Sequence, residues 1–318
     1  MNKLPILIIG FIRVDGIRKL LNSLVIGQIS GLYLAIDGPR NSLDLVEQTE
    51  IRRIIDEFAK RNKLPLLVWH RDFNLGVAAG IITAIDWFFS KVTFGLILED
   101  DLVIGNDFIP FVTKALPILT EHEDVLMISG NQFFSNSNAD GIGASHYPQI
   151  WGWATTFARW EIIRSGLLSQ QNVEFRDFLS ARSSYWAIGS RRALDGTIDT
   201  WDLPLVKFMR KELKLCLLPP VNLVMNDGFD RFATHTKSKR FPLGEPIWKL
   251  DLSKVKFEIP QIISIEQMDN QLEAQVFGIR WRHILSLPFG LITSLKRKKN
   301  RPLITRLAEV DKPSLGSI

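Results

Sequence analysis

Cysteine occurs once in the 318 residues, at position 216. A lone thiol closes no internal disulfide and builds no zinc module, so the fold is expected to rest on core packing in a reducing, cytoplasmic setting. Glycine-built nucleotide signatures are also missing. Neither a Gly-x-x-x-x-Gly-Lys-Ser/Thr phosphate loop nor a Gly-x-Gly-x-x-Gly fingerprint occurs, which argues against ATPases and dinucleotide enzymes. No repeat of solenoid length and no long low-complexity linker divides the chain. Long hydrophobic runs are few. Residues 4–12 have the length of a signal-peptide core, but no small-residue cleavage site follows and Arg13 and Asp15 interrupt them, so they read as a first buried strand. In residues 277–295 the longest uncharged stretch is too short to span a bilayer and is broken by Pro288 and Gly290.

Positive charge is scarce outside one segment. The formal net charge is +5, yet residues 274–308 hold eight of the 39 Lys and Arg and no acid, leaving 31 bases against 34 acids elsewhere. A mildly acidic body does not make a nucleic-acid groove, so no nucleic-acid partner is expected. With 46% hydrophobic and 23% charged residues the chain can bury a full core, as one large domain or two modest ones.

Apolar strand candidates at residues 6–12, 32–36, 66–69, 94–98 and 125–129 alternate with helical patterns. Ile17, Leu20, Leu21 and Leu24 fall at i, i+3, i+4, i+7, as do Ile51, Ile54, Ile55 and Phe58, the spacing of one buried helical face. Strand alternating with helix predicts an α/β fold with a mostly parallel central sheet flanked by helices. After Gly130 the texture turns Asn/Ser/Gly-rich to Ser145, reading as a mobile loop, and then aromatic, with five of nine tryptophans between Trp151 and Trp201. A further helix is expected from Trp201 to about Leu213. Cys216 sits in a Leu-Cys-Leu-Leu run and reads as packing.

The most informative stretch is Phe94-Gly-Leu-Ile-Leu-Glu99-Asp100-Asp101, an apolar strand ending in three carboxylates. In an open α/β sheet ligands bind beyond the carboxyl ends of the strands, so the triplet would meet a ligand there, with Glu99 and Asp101 on one side and Asp100 on the other. One acid can ligate Mg²⁺ or Mn²⁺ while the others grip hydroxyls. A solvated acidic turn opening a helix near Asn106 fits the triplet equally well. Other strand ends are polar too: Arg13 follows Ile12, Asp37-Gly-Pro-Arg40 follows Ile36, and His70-Arg-Asp-Phe-Asn74-Leu-Gly76 follows Trp69. Converging on one sheet edge, these suit a nucleoside diphosphate, with Asp37 on a base or ribose edge and Asn74 and Gly76 near phosphates at a helix start. Taken singly, each also fits a surface pair, a plain turn or a loop glycine.

In order and spacing, Ile-Ile-Gly-Phe-Ile-Arg13, Ile-Asp37-Gly, Phe-Asn74-Leu-Gly76, Leu-Glu99-Asp100-Asp101, Ile-Trp151-Gly-Trp153-Ala-Thr, Thr-Trp201-Asp202 and Ala-Thr-His235-Thr resemble a GT-A-fold glycosyltransferase. The resemblance is to bacterial family-2-like enzymes related to the N-acetylglucosaminyltransferase that initiates complex N-glycans, and it runs from about Pro5 to Thr236. It implies residues 1–130 as a nucleotide-sugar-binding half, 131–236 as an acceptor and catalytic half of the same domain, and 237–318 as a basic, amphipathic extension. It further implies base contacts from Arg13 and Asp37, a ribose contact from Asp100, a metal ligand in Asp101, a catalytic base in Asp202, and Mn²⁺ or Mg²⁺ as cofactor. Ile12 stands where the family commonly has Asn or Asp. The donor implied is a nucleotide-diphosphate sugar, and the acceptor a glycan or lipid-linked molecule.

Asp202, at a helix start, would be kept ionised by the helix dipole, though Asp199 or Asp202 also fits a simple cap. His235 fits either a diphosphate or metal contact or a loop hydrogen bond, and Trp151 and Trp153 either an acceptor platform or core. Apolar residues beside Lys296-Arg-Lys-Lys299 fit peripheral binding to an anionic inner membrane surface, or equally an exposed C-terminal helix docking on its own domain or on a second subunit. Two other functions fit less of the pattern: a sugar nucleotidyltransferase, which lacks its Gly-rich basic loop here, and a non-catalytic carbohydrate- or membrane-binding protein.

Overall fold

The computed structural model describes residues 3–134, 140–170, 180–228, 250–279 and 301–310. Its strands are β1 (Leu4–Gly10), β2 (Ile29–Ile36), β3 (Leu66–His70), β4 (Phe94–Glu99), β5 (Leu102–Ile104), β6 (Val125–Ser129), β7 (Gly143–Ser145), β8 (Trp153–Thr156), β9 (Leu215–Leu218) and β10 (Val224–Asn226). The helices are α1 (Val14–Ser23), α2 (Ser42–Asn62), α3 (Gly76–Phe89), α4 (Phe108–Glu121), α5 (Phe157–Leu168), α6 (Ala181–Leu194), α7 (Asp202–Lys211), α8 (Ile262–Gln271) and, in the C-terminal extension, α9 (Leu303–Val310).

Eight strands form one sheet in the order β3-β2-β1-β4-β8-β6-β9-β7. β3, β2, β1 and β4 are mutually parallel, β8 runs against both β4 and β6, β9 follows β6, and β7 opposes β9. The expected mostly parallel α/β sheet is therefore present. β5 and β10 pair separately as a small antiparallel ribbon.

The alternation along β1 divides the core. Leu4, Ile6 and Ile8 pack with α1, α2 and α4 on one face, and Leu7 packs with α3, α5 and α7 on the other. The predicted helical faces are buried, with Ile17, Leu20 and Leu21 inward on α1 and Ile51 and Ile55 inward on α2. Asn41 caps α2 by accepting from the Leu43 and Asp44 amides, and Lys63, at φ 53°, turns the chain out of it.

Two expectations need correction. β1 stops at Gly10 rather than at residue 12, because the Phe11 amide donates to Asp100 Oδ2 at 2.8 Å instead of joining the ladder. The acidic triplet does not open a helix: β5 follows it directly and α4 starts at Phe108. Residues 135–139 of the stretch expected to be a mobile loop lie outside the described residues, but its two ends are built into the fold. Asn131 and Gln132 are buried, donating to Gln149, Asn222 and Pro219, and β7 is part of the sheet. Among the described residues no helix is long and apolar enough to cross a membrane.

Candidate active site

The carboxyl ends of β1, β2, β3 and β4 open into one cleft of about 680 Å³. Its walls bring together Arg13, Asp37, Asn74, Gly76, Glu99, Asp100, Asp101, Trp151 and Asp202, all anticipated as site residues. His235 lies outside the described residues.

On one wall Asp100 is nearly buried and firmly held. Its own amide donates to Ile9 O at 3.0 Å, while its carboxylate accepts from the Phe11 amide and from Arg13 Nη1 at 3.1 Å. The same Nη1 reaches Asp101 Oδ2 at 3.1 Å, so Arg13 bridges the two acids. The α1 turn lies so close that a Cβ on Gly16 would come within 2.0 Å of the Asp100 carbonyl oxygen. Burial, then the charges of Asp101 and Asp100, push Glu99 up to about 8, with Asp202 adding to the rise and Arg13 opposing it. Burial likewise raises Asp100, against the pull of Arg13 and the Phe11 amide. These like charges are within electrostatic reach of one another. Asp202 comes from the first turn of α7 and accepts from the Thr200 hydroxyl. Next to it, Trp201 is buried and stacks on Trp153, with ring centroids 5.9 Å apart.

The other wall is built on the start of α3. The Asp37 carboxylate accepts from the amides of Gly38, Leu75 and Gly76 at 3.0 to 3.1 Å and faces Arg71 Nη1 at 3.4 Å. Burial raises Asp37, against the pull of the Leu75 amide and Arg71. Asp199 accepts from the next two amides, Val77 at 2.9 Å and Ala78 at 3.2 Å, and from Arg306 Nη2 at 2.8 Å. Four amides at the start of α3 are thus taken by two carboxylates, which corrects the expectation that a phosphate would lie there. Gly76, at φ +76°, is needed for a different approach: its Cβ would stand 2.3 Å from Asp199 Oδ2 and 2.9 Å from Arg306 Nη1. Asn74, expected near phosphates, donates to Gly38 O at 2.9 Å and ties the two loops together.

Trp153 is a second correction. It is 1% exposed on β8, packed between Trp160 and Trp201, and offers no ring to a ligand. Trp151, two residues earlier and half-buried, does line the cleft. Two participants stand out only in the fold: Asp199, whose sequence position fits a cap near Asp202, and Arg306, which a 107-residue separation hides from any local pattern.

The site chemistry fits a hard divalent ion. Glu99, Asp101, Asp202 and Asn226 line the cleft and carry oxygen donors, the set that Mg²⁺ and Mn²⁺ prefer, with Asn226 Oδ1 accepting from the Gly228 amide at 2.7 Å. The chain folds closely around Asp101: the Asp227 amide donates to its carbonyl, and a Cβ on Gly228 would fall 2.2 Å from Asp101 Oδ2. Among the described residues no group of three His, Cys, Asp or Glu side chains is placed to hold an ion alone. An ion here would take most of its ligands from substrate phosphate and water, as Mg²⁺ usually does.

No protein-family model matches the chain, and no curated protein matches it. Among solved structures it is similar to S. aureus TarS 1-349, at 16% identity and a TM-score of 0.33. That match covers 60% of this chain and 55% of the other.

Proposed function

We propose that the chain is an inverting glycosyltransferase of GT-A architecture that uses Mn²⁺ or Mg²⁺ to move a sugar from a nucleoside-diphosphate donor, a UDP-sugar, to an acceptor hydroxyl on a glycan or lipid-linked molecule. The observation that carries this reading is Asp202 at the head of α7, lining the same cleft as Glu99, Asp100 and Asp101. The α3 amides are occupied by Asp37 and Asp199, so the donor's charged groups are assigned to the triplet wall. This geometry favours transfer assisted by a cation over an amide-cradled phosphate chemistry.

In this reading Asp202 accepts the proton of the acceptor hydroxyl as its oxygen bonds to the anomeric carbon and the bond from that carbon to the diphosphate breaks. Displacement in a single step inverts the anomeric centre. The divalent ion, when bound, neutralises charge developing on the departing diphosphate. Asp101 would hold it, and Arg13, already bridging Asp100 and Asp101, orients those acids and adds positive charge beside the leaving group. Trp151 supplies an apolar face at the mouth.

Membrane attachment through the basic tail belongs to residues largely outside the described ones. The described part, α9, packs on α3, with Leu303 and Leu307 buried, which favours docking on the protein for that portion. Calorimetry with UDP-, GDP-, CMP- and dTDP-sugars, with and without Mn²⁺, tests the proposal. Metal-dependent binding of one donor that is lost in Asp101→Ala is expected. No binding by a folded protein would overturn the reading.

A further inference from the structure

Asp202 follows a segment that is contacted by a residue far away in sequence. The preceding residues, 199–201, are fixed on two sides. Trp201 is fixed by stacking on Trp153 within the core. Asp199 is fixed by the Val77 and Ala78 amides and by Arg306 Nη2. Arg306 makes a second contact with its other terminal nitrogen, Nη1 donating to Leu75 O at 2.8 Å. One guanidinium therefore joins the β3–α3 loop to the segment leading into α7, with its side chain only 10% exposed. The fork geometry matters, because a planar guanidinium can address a carboxylate and a carbonyl at once. Gly76 makes room for this arrangement, since a Cβ there would collide with both Asp199 and Arg306.

We propose that Arg306 is a positioning residue for Asp202, so that α9, from the C-terminal extension, completes the active site from behind. Arg306 is not itself among the residues that line the cleft. It acts by holding Asp199, and through the three-residue step from Asp199 to Asp202 it sets where the proposed base stands relative to Glu99–Asp101. The inference rests on the transferase reading for its catalytic half, whereas the clamp itself is a property of the fold. A misplacement of about 1 Å at a base can cost on the order of 100-fold in rate.

The test compares the full chain with Arg306→Met, which keeps the apolar stem and removes the fork, and with Arg306→Lys, which returns the charge. In Arg306→Met amide hydrogen exchange is expected to quicken at residues 75–78 and 197–203 while the rest of the sheet is unchanged. With a donor identified by calorimetry, kcat is expected to fall about 10- to 100-fold with donor KM and Kd unchanged, the scale seen when a supporting partner is lost. Arg306→Lys should recover part of kcat. Unchanged local exchange, unchanged kcat, or a fall in kcat matched by an equal loss of donor affinity would each overturn the proposal. A wild type that binds no nucleotide sugar overturns the transferase reading and with it the catalytic role of Arg306. That outcome is told apart from failure of the clamp, because the exchange comparison needs no ligand.

Discussion

The two walls of the cleft use the same residue type for opposite purposes. On the α3 wall, Asp37 and Asp199 are each surrounded by backbone amides and faced by an arginine, Arg71 or Arg306. On the triplet wall, Glu99 is raised first by burial and then by the charges of Asp101, Asp100 and Asp202, with Arg13 as the opposing cation. Burial raises Asp37 as it does Glu99 and Asp100, but amides and an arginine surround Asp37, whereas the carboxylates crowded against one another carry an added like-charge cost that a bound cation can relieve. A cluster that costs stability while lining a cleft is the pattern expected of a working site.

Substitutions on the two walls should therefore part company. The largest effect is expected for Asp202→Asn, whose kcat should fall about 100- to 10,000-fold, the usual contribution of a general base, while donor affinity measured by calorimetry holds. Near-normal transfer by this variant would remove Asp202 from the mechanism. Asp101→Ala should abolish the metal dependence of donor binding with little change in melting temperature, since Arg13 keeps Asp100 as a partner and the relief of like-charge crowding offsets the lost contact. Asp37→Ala should do the reverse. It leaves Arg71 buried without its carboxylate, at a cost of about 3 to 5 kcal/mol in urea unfolding, as breaking a buried ion pair typically does. A loss of donor affinity with unchanged stability would instead place Asp37 among the binding residues.

The smallest effect supplies an internal gauge. Burial pushes the Cys216 thiol up to about 12. Its native pKa is therefore above its unfolded one, so its contribution to stability is complete below about pH 9 and fades as pH rises toward 12. At pH 8 a thiol reagent should label Cys216 only through unfolding, faster in Asp37→Ala and unchanged in Asp101→Ala. Equal labelling rates in both would erase the distinction between the walls.

Residues that act through local pattern were legible in the sequence. Apolar runs followed by Arg13, Asp37 and the Glu99–Asp101 triplet mark parallel strands delivering polar ends to one edge, and those strands lie side by side in the sheet. β8 was not legible as a strand. It is four residues long, and its tryptophan sits in an aromatic segment equally suited to a ligand platform, so only burial between Trp160 and Trp201 settles Trp153 as core. Asp199 had the right chemistry for a cap, but the helix it caps starts at Gly76, far upstream, rather than at Asp202. Arg306 lies in a basic segment that fits membrane binding and docking on the protein alike. Tertiary pairing at that sequence distance leaves no trace in periodicity.

The antiparallel insertion of β8 between β4 and β6 sets an order of assembly. As the chain emerges during synthesis, β1 to β4 can pair with one another, but the far side of β4 keeps its backbone groups unmatched until α4, β6 and β7 have also been made. Phe94-Gly-Leu-Ile-Leu is an apolar edge for that interval, the kind of surface that recruits a second chain. Crowding of nascent chains is therefore a condition under which this edge is open to aggregation.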